Sequence, residues 1–448
     1  MHRHSIVLVL SLALLLVAHA GQYCGLRPPS GALSSSSGSS SGSGGITTTG
    51  NSSADTSDVV ASAWYPGWEA QDFPPSMISW SKYNSMIFAF ATTTTDTSTI
   101  ALDDISAQAL PDFVTLAKSN GVSALLSIGG WTGSMYYSSA VATAENRTTF
   151  VNAVLDLVSK YNLDGIDFDW EYPARQGLGC NVVSSEDSAN FLSFLQQLRG
   201  TSAGKNLILT APVSLTPFIG SDGEPMSDVS AFADVLNYIE IMNYDVWGSW
   251  SSTVGPNAPL ADACAAPANQ QGSATSAVSA WSAAKFPANQ IVLGLASYGH
   301  SFSVSPGAAL RSNGSLALYP TFDASNQPLG SADSPGDATA LDPCGNPEGI
   351  SGIFTFAGLV QEGYLTENGT AANGIDYVYD YCSQTPFVYN ETSMVMISYD
   401  DATSFAAKGR FINAQNLAGY AVWDVTGDFD DILLDSLHDA MGIVSVCE

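Results

Sequence analysis

The sequence contains few charged residues, and very few of them are cationic. Lysine and arginine together number 13 among 448 residues, against 42 aspartates and glutamates, which gives a formal net charge of −29. Charged residues make up 12% of the chain, about half of the share in an average domain. Such a chain repels nucleic acid and anionic membranes and suits a neutral or weakly cationic substrate, although an acidic surface can also serve only to keep a protein soluble.

Long hydrophobic runs are absent beyond the N-terminus. Residues 1–20 predict a secretory signal peptide, with a cationic start at His2–His4, an apolar stretch at Ile6–Val17 and a small-x-small cleavage site at Ala18–Ala20. No later segment is long and apolar enough to span a bilayer, and the C-terminus carries no tail of the lipid-anchor kind. We therefore expect a secreted, extracellular protein without a membrane anchor.

Cysteine is scarce, and its spacing matches no zinc motif. Six cysteines occur, at Cys24, Cys180, Cys264, Cys344, Cys382 and Cys447. In a secreted protein they are expected to form disulfides, although sequence alone does not choose among the possible pairings. We expect Cys344 to pair with Cys382 and Cys180 to pair with Cys264. Five glycosylation sequons also fit an exported protein, at Asn51, Asn146, Asn313, Asn368 and Asn390.

Composition changes sharply near residue 59. Residues 21–58 are dominated by Ser, Gly and Thr from residue 30 onward, cannot bury apolar area, and predict a flexible linker. Residues 59–448 show short apolar runs that alternate with helical patterns such as Arg147–Lys160 and Ser188–Arg199. The predicted strands are Val59–Trp64, Ser85–Ala91, Ala124–Ile128, Ile166–Trp170, Leu207–Val213, Tyr238–Met242, Ile291–Ala296 and Ala418–Trp423.

Eight strand–helix units in series predict an α/β fold, a (β/α)8 TIM barrel. An open doubly wound sheet is the alternative, but eight regular repeats favour closure. The gap between the seventh and eighth strands is too long for one loop and one helix. We expect residues 301–386 to form a small α+β insertion between strand seven and helix seven, on the active face of the barrel.

The segment Asp164–Glu171 carries the strongest chemical signal. In an extended strand its alternate side chains form two rows, an acidic row of Asp167, Asp169 and Glu171 and an apolar row of Ile166, Phe168 and Trp170. A lone buried carboxylate is costly, so the acidic row is not ordinary core. A structural ion-pair or calcium site is the alternative, but cations are few and a calcium loop places its oxygens on a turn. We interpret the row as a device that handles protons.

Other notable residues stand where the predicted strands end. The C-terminal ends of barrel strands meet at one face, where barrel enzymes work. Those residues are Phe90, Trp131, Met242, Tyr244, Asp245, Tyr298 and Trp423. Together with Glu171 they predict an aromatic-walled, acid-floored cleft, since aromatic faces stack on sugar rings and carboxyl groups cleave glycosidic bonds.

Five segments resemble, in their order, the motifs of glycoside hydrolase family 18, the chitinases. They are Ser127–Trp131, Asp164–Pro173, Met242–Asp245, Ser297–Gly299 with Phe302, and Gly419–Trp423. The resemblance covers about residues 59–448. The insertion resembles the chitinase insertion domain of the family's long-cleft members, and the whole chain looks most like a secreted fungal-type chitinase. It implies chitin and chitooligosaccharides as substrates, with no cofactor and no obligatory metal. We expect a monomer that binds no nucleic acid.

The resemblance also implies roles for individual residues in a substrate-assisted, retaining mechanism. Glu171 would be the general acid, Asp169 would hold the acetamido N–H, Asp167 would share a proton with Asp169, and Tyr244 would donate a hydrogen bond to the acetyl carbonyl. The remaining candidates would bind substrate: Trp64, Phe90, Gly129, Trp131, Tyr172, Met242, Asp245, Tyr298 and Trp423.

Two departures from the family pattern and two other functions remain open. Trp64 stands where the family commonly has Tyr, and His300 stands where many relatives carry Arg, which leaves the contacts of both with a ligand undecided. A non-catalytic chitin-binding lectin on the same barrel would be expected to lose the acid or its aspartate partners. An endo-β-N-acetylglucosaminidase acting on N-glycans could share the acidic motif, but it fits the aromatic set and the long insertion less well.

Overall fold

The computed structural model describes residues 24–27, 59–334, 336 and 339–447. The predicted signal peptide and most of the predicted linker lie outside these ranges. Within the linker range, strand β1 (Cys24–Arg27) pairs antiparallel with strand β16 (Val444–Cys447), a pairing that sequence analysis did not predict. In the described ranges, no helix combines the length with the apolar character that crossing a membrane requires.

A closed parallel barrel forms the body of the described residues, which confirms the predicted fold. Its eight strands there are β2 (Val60–Pro66), β3 (Ser85–Thr93), β5 (Ser123–Gly129), β6 (Gly165–Asp169), β7 (Ile208–Val213), β8 (Tyr238–Ile241), β9 (Ile291–Ala296) and β15 (Gly419–Trp423). Strand β2 pairs in parallel with both β3 and β15, and these pairings close the ring. Strand β4 (Ile100–Ala101) pairs antiparallel with the end of β3.

The barrel strands are buried on both faces, because helices cover the outside and side chains fill the inside. Strand β2 shows how alternation divides the two faces. Ala61, Ala63 and Tyr65 belong to the large core between strands and helices, whereas Trp64 packs inside the ring in the same cluster as Ile87.

Helices follow most of the barrel strands. They are α1 (Asp104–Ser119), α2 (Gly130–Gly133), α3 (Tyr137–Val141), α4 (Ala144–Tyr161), α5 (Asp187–Gly200), α6 (Ser230–Ala233), α7 (Ala274–Ala283), α8 (Pro306–Ala309), α9 (Phe356–Gln361), α10 (Ala402–Gln415) and α11 (Ile432–Met441). Helix α4 begins after Thr143, whose side chain accepts the N–H of Asn146, and ends at Tyr161, where the following Asn162 adopts the left-handed conformation. The two helices predicted from apolar spacing lie within α4 and α5.

A five-stranded antiparallel sheet is inserted between β9 and α10. Its strands are β10 (Tyr298–Ser303), β11 (Ile353–Thr355), β12 (Asp376–Asp380), β13 (Thr385–Asn390) and β14 (Val395–Ser398), in the order β11-β10-β14-β13-β12. One face has its own core, which includes Phe302, Phe387 and Met396. The sheet begins before residue 301 and ends after residue 386, so it is wider than the predicted insertion.

Two disulfides tie the insertion to the barrel, and the predicted pairings are wrong. Cys180 bonds to Cys344, and Cys264 bonds to Cys382. Cys180 lies in the loop after β6, and Cys264 lies in the loop after β8. Both loops leave the same face of the barrel as the insertion. The cysteines therefore pair with partners that are close in space, although other cysteines are closer along the chain. The side chains of Cys24 and Cys447 lie outside the described ones.

Removing the Cys264–Cys382 disulfide should destabilise the protein. The bond joins residues 118 positions apart, so it restricts a long loop in the unfolded chain. We expect the double variant Cys264→Ala with Cys382→Ala to lose about 2–5 kcal/mol of unfolding free energy, measured by urea denaturation. A non-reducing peptide map is the control on pairing, and a fragment that joins Cys344 to Cys382 would contradict the structure.

Candidate active site

Alternation along β6 delivers two carboxyl groups into the barrel. Asp167 and Asp169 face inward, while Ile166 and Phe168 are fully buried in the outer core. The strand ends at Asp169, one residue earlier than predicted, so Glu171 lies just beyond the strand. The predicted row of three acids therefore begins inside the barrel and ends at its C-terminal rim.

Asp167 accepts three hydrogen bonds inside the barrel. Its Oδ2 accepts from Trp64 Nε1 at 3.0 Å and from Ser127 Oγ at 2.8 Å, and its Oδ1 accepts from Thr210 Oγ1 at 2.6 Å. Burial raises the pKa of Asp167 to about 6, and the three hydrogen bonds oppose this rise because they favour the anion. Asp167 is therefore well supplied with donors for holding a negative charge.

Asp169 is buried but poorly supplied with donors. Its Oδ1 has no hydrogen-bond partner among the described residues. Burial, followed by the charges of Glu171 and Asp167, raises the pKa of Asp169 well above its usual value. Because two adjacent carboxyl groups resist double ionisation, the pair retains a proton, and Asp169 is its favoured bearer.

Glu171 is held by its backbone and carries a raised pKa. Its N–H donates to Ser134 Oγ at 3.1 Å, and its carbonyl accepts from Asn181 Nδ2 at 2.9 Å. Burial raises the pKa of Glu171 to about 7, and the charge of Asp245 adds to the rise. A hydrogen bond with Tyr172 and the charge of Arg175 act in the opposite direction. The carboxyl group is therefore protonated below neutral pH.

The glycine pair after β5 allows the backbone to pass closely behind the acids. Gly129 has a φ of 113°, and a Cβ at this position would lie 2.0 Å from the carbonyl oxygen of Asp169. Gly130 has a φ of 76°, and its Cβ would meet the ring of Phe90 at 2.9 Å. Both positions need glycine, because other residues rarely adopt such φ values and would collide here. Gly129 thus acts through backbone packing.

Residues after β8 and on β10 form the opposite side of the site. Tyr244 and Tyr298 meet edge to face with ring centroids 6.1 Å apart. Burial, followed by the charge of Asp169, raises the pKa of Tyr244 well above its usual value, so the phenol keeps its proton for hydrogen bonding. Asp245 is half-exposed, and its Oδ1 accepts from Tyr298 Oη at 2.7 Å and lies 2.8 Å from His300 Nε2. Met242 is partly buried at the end of β8.

Aromatic rings line the cleft around Trp423. Its ring stacks on Phe90 at 5.5 Å and lies 6.3 Å from Trp68, and both partners are at least partly exposed. Trp131 is 49% exposed at the rim. Trp64 differs from these rings, because it is 1% exposed and its indole N–H donates to Asp167 inside the barrel.

Tyr172 lies next to the acid and is partly buried. The guanidinium carbon of Arg175 lies 4.3 Å from the centre of its ring, a cation–π geometry. Burial, followed by the charge of Glu171, raises the pKa of Tyr172 above its usual value. The structure thus brings all thirteen predicted site residues to the barrel interior or its C-terminal face.

Several supporting residues were not assigned a role from sequence. Ser127 and Thr210 are the second and third donors to Asp167, and Ser134 Oγ joins Gly130 to the backbone of Asp169 and Glu171. One feature of the sequence could have indicated Thr210 as a donor to Asp167, because it is a polar residue at an inward position of β7, an otherwise apolar strand. No group of three or more His, Cys, Asp or Glu side chains among the described residues is placed to hold a metal.

A parallel barrel with an insertion before its last strand, and with carboxyl groups of raised pKa at the C-terminal ends of its strands, has the architecture of a glycoside hydrolase. The chain belongs to the glycosyl hydrolases family 18, whose family model matches residues 61–428. This match confirms the predicted family.

Relatives and solved structures agree with this assignment. A chitinase-like effector of Moniliophthora roreri is 49% identical over 394 residues, which cover 88% of this chain and 95% of that protein. A chitinase-like effector of Moniliophthora perniciosa is 46% identical, over 88% of this chain and 89% of its own length. The crystal structure of a chitinase from Rhizomucor miehei is 32% identical, with a TM-score of 0.75 over 85% of this chain and 99% of that one.

Replacing Gly129 with alanine should disturb the acidic row. The new Cβ would collide with the backbone of Asp169, and alanine disfavours the φ of this position. We expect Gly129→Ala to lose more than about 2 kcal/mol of unfolding free energy, measured by chemical denaturation. Gly200→Ala is the matched control, because nothing lies within 4 Å of a Cβ there. Equal stability of the two variants would contradict the proposed packing.

Proposed function

We propose that the protein is a secreted chitinase that hydrolyses β-1,4 linkages between N-acetylglucosamine units. The observation that carries the proposal is the acidic row. Burial raises the pKa of Glu171 to about 7, and the neighbouring Asp169 retains a proton. An acid whose pKa is close to the working pH is suited to protonating a glycosidic oxygen. The likeness to a solved fungal chitinase at 32% identity supports the substrate class.

The substrate supplies its own nucleophile in this proposal. The carbonyl oxygen of the N-acetyl group attacks C1 of the same sugar, while Glu171 gives its proton to the departing glycosidic oxygen. The bond from C1 to that oxygen breaks, and a cyclic oxazolinium cation forms. Because the carbonyl oxygen is already held close to C1, the attack gains the advantage of an intramolecular reaction.

The remaining residues stabilise this intermediate and complete the turnover. Asp169 accepts the acetamido N–H, the single negative charge that Asp167 and Asp169 share balances the positive charge, and Tyr244 donates its O–H to the acetyl oxygen. Glu171, now ionised, accepts a proton from the water that attacks C1, and the bond from C1 to the acetyl oxygen breaks. This restores the N-acetyl group, and the anomeric configuration is retained because C1 has been displaced twice. Trp423 and Phe90 offer their faces to the sugar rings, and Asp245 accepts hydrogen bonds from sugar hydroxyl groups.

Secretion is part of the same proposal. The N-terminal sequence resembles a signal peptide, and the two disulfides among the described residues fit an oxidising compartment. The monomeric state and the domain boundaries at residues 20, 58, 301 and 386 remain predictions.

Replacing Glu171 should separate turnover from binding. Glu171→Gln keeps the shape of the side chain but removes the proton donor, so hydrolysis of chitohexaose should fall by about 100-fold or more while oligosaccharide binding persists. Glu186→Gln is the control, because Glu186 is an exposed glutamate that immediately precedes α5. Product analysis and calorimetric titration measure the two properties. Full activity of Glu171→Gln would refute the assigned role.

The pH dependence of kcat/KM, which reports the pKa values of the free enzyme, should be bell-shaped. Glu171 loses its proton as the pH rises through about 7, which removes the general acid. Asp167 takes up a proton as the pH falls through about 6, which removes the charge that orients Asp169. Initial rates on a soluble chitooligosaccharide between acidic and alkaline pH test this expectation, and undiminished kcat/KM well above neutral pH would contradict it.

A second candidate function is non-catalytic chitin binding, since two relatives are named chitinase-like effectors. In this chain, however, Glu171, Asp169, Asp167 and Tyr244 are all present and assembled. Assaying the wild-type protein on chitin oligomers beside a high-mannose glycoprotein separates the candidates. Cleavage of the glycoprotein alone would favour an endo-β-N-acetylglucosaminidase, and oligomer binding with no cleavage would favour a lectin.

A further inference from the structure

A third carboxyl group, Glu240, lies inside the barrel and has no role in the mechanism above. It occupies an inward position on β8 and is fully buried. Neither of its carboxyl oxygens has a partner in hydrogen-bonding geometry among the described residues. No lysine, arginine or histidine in that part of the chain forms an ion pair with it.

The groups around Glu240 come from β6, β7 and β9 and from its own strand, β8. Strand β6 contributes Asp167 and Asp169, and β7 contributes the hydroxyl of Thr210. Strand β9 places the apolar Val292 at the paired position, and β8 itself contributes Tyr238. Burial, followed by the charge of Asp167, raises the pKa of Glu240 well above its usual value, although Thr210 acts in the opposite direction.

Hydrogen-bond donors show where a negative charge can be held among these acids. Asp167 has three donors, whereas both Glu240 oxygens and one Asp169 oxygen have none in the described residues. A buried carboxylate without donors costs far more than a buried carboxylic acid. The charge therefore belongs on Asp167, and Glu240 belongs in its neutral form.

The hydroxyl group of Thr210 acts on both carboxyl groups, and it has a single proton to donate. That proton now goes to Asp167 Oδ1 at 2.6 Å. An ionised Glu240 would compete for it, whereas a protonated Glu240 leaves that proton to Asp167 and, after rotation of its side chain, can donate its own proton to the threonine oxygen. A neutral acid at position 240 thus orients the threonine hydroxyl toward Asp167.

We propose that Glu240 is a positioning residue that stays uncharged. It acts through the hydroxyl group of Thr210, which donates to Asp167, and in this way it keeps Asp167 the ionised member of the acidic row. The inference deepens the proposed hydrolysis and rests on it, because the orientation of Asp169 depends on the charge of Asp167.

Kinetics of three variants test the positioning role. Glu240→Gln keeps an N–H that can donate to Thr210, so its pH profile of kcat/KM should match the wild type. Glu240→Met fills similar space but has no hydrogen-bond donor. The acid limb of its pH profile, which reports the protonation of Asp167, should therefore move to higher pH by about 0.5 unit, as expected when an anion loses part of one hydrogen bond. Adding Glu240→Met to Thr210→Val should cause no further shift beyond that of Thr210→Val alone.

Other kinetic results would overturn the inference. If Glu240→Gln moves the acid limb to lower pH, Glu240 is an anion that raises the proton affinity of Asp167. If the Gln and Met variants both match the wild type, Glu240 only fills space. If Glu240→Met adds a further shift in the Thr210→Val background, Thr210 does not transmit the effect.

Stability against pH tests the proton on Glu240 independently of turnover. A carboxyl group whose pKa is raised on folding binds more protons in the native state, so stability falls as the pH rises above its ordinary value of 4.5. The Tm advantage of Glu240→Gln over the wild type should therefore grow steadily from acidic to neutral pH. A constant difference would overturn the inference. Absence of turnover in the wild type would instead reject the proposed function, and the Tm comparison would still decide whether Glu240 is neutral.

Discussion

The rest of the site depends on one buried negative charge at Asp167. Moving a carboxylate into a dry interior is costly unless several donors replace its water. Here the donors come from three strands, with Trp64 on β2, Ser127 on β5 and Thr210 on β7. The charge is therefore stable only in a closed barrel. It in turn helps to keep a proton on Asp169, next to the acid at Glu171.

The insertion contributes directly to this arrangement. Its first strand carries Tyr298 and His300, which both contact the carboxylate of Asp245, and Asp245 is one of the charges that raise the pKa of Glu171. Disulfides join the insertion to the loops that follow β6 and β8, the strands that precede Glu171 and Tyr244. The wall of the cleft and the acidic row are therefore connected to each other by these contacts and disulfides.

Much of this could be predicted from local pattern. The strands follow from short apolar runs, and the inward direction of Asp167 and Asp169 follows from alternation along β6. The predicted pairing of Cys344 with Cys382 was wrong, because both lie in the insertion but bond to different barrel loops. Trp64 was predicted to bind substrate, yet its ring is buried and donates to Asp167. Neither result follows from spacing along the chain.

By itself the sequence determined the family, the order of the barrel elements, and which side chains on each strand face the interior, since these depend on periodicity and on motifs within a few residues. Only the tertiary structure decided which donors reach Asp167, which cysteines bond, and that Glu240 lies beside the acid row. Trp64 and Asp167 are 103 positions apart, and they meet because closure of the barrel sets the distance between strands that the chain leaves separate.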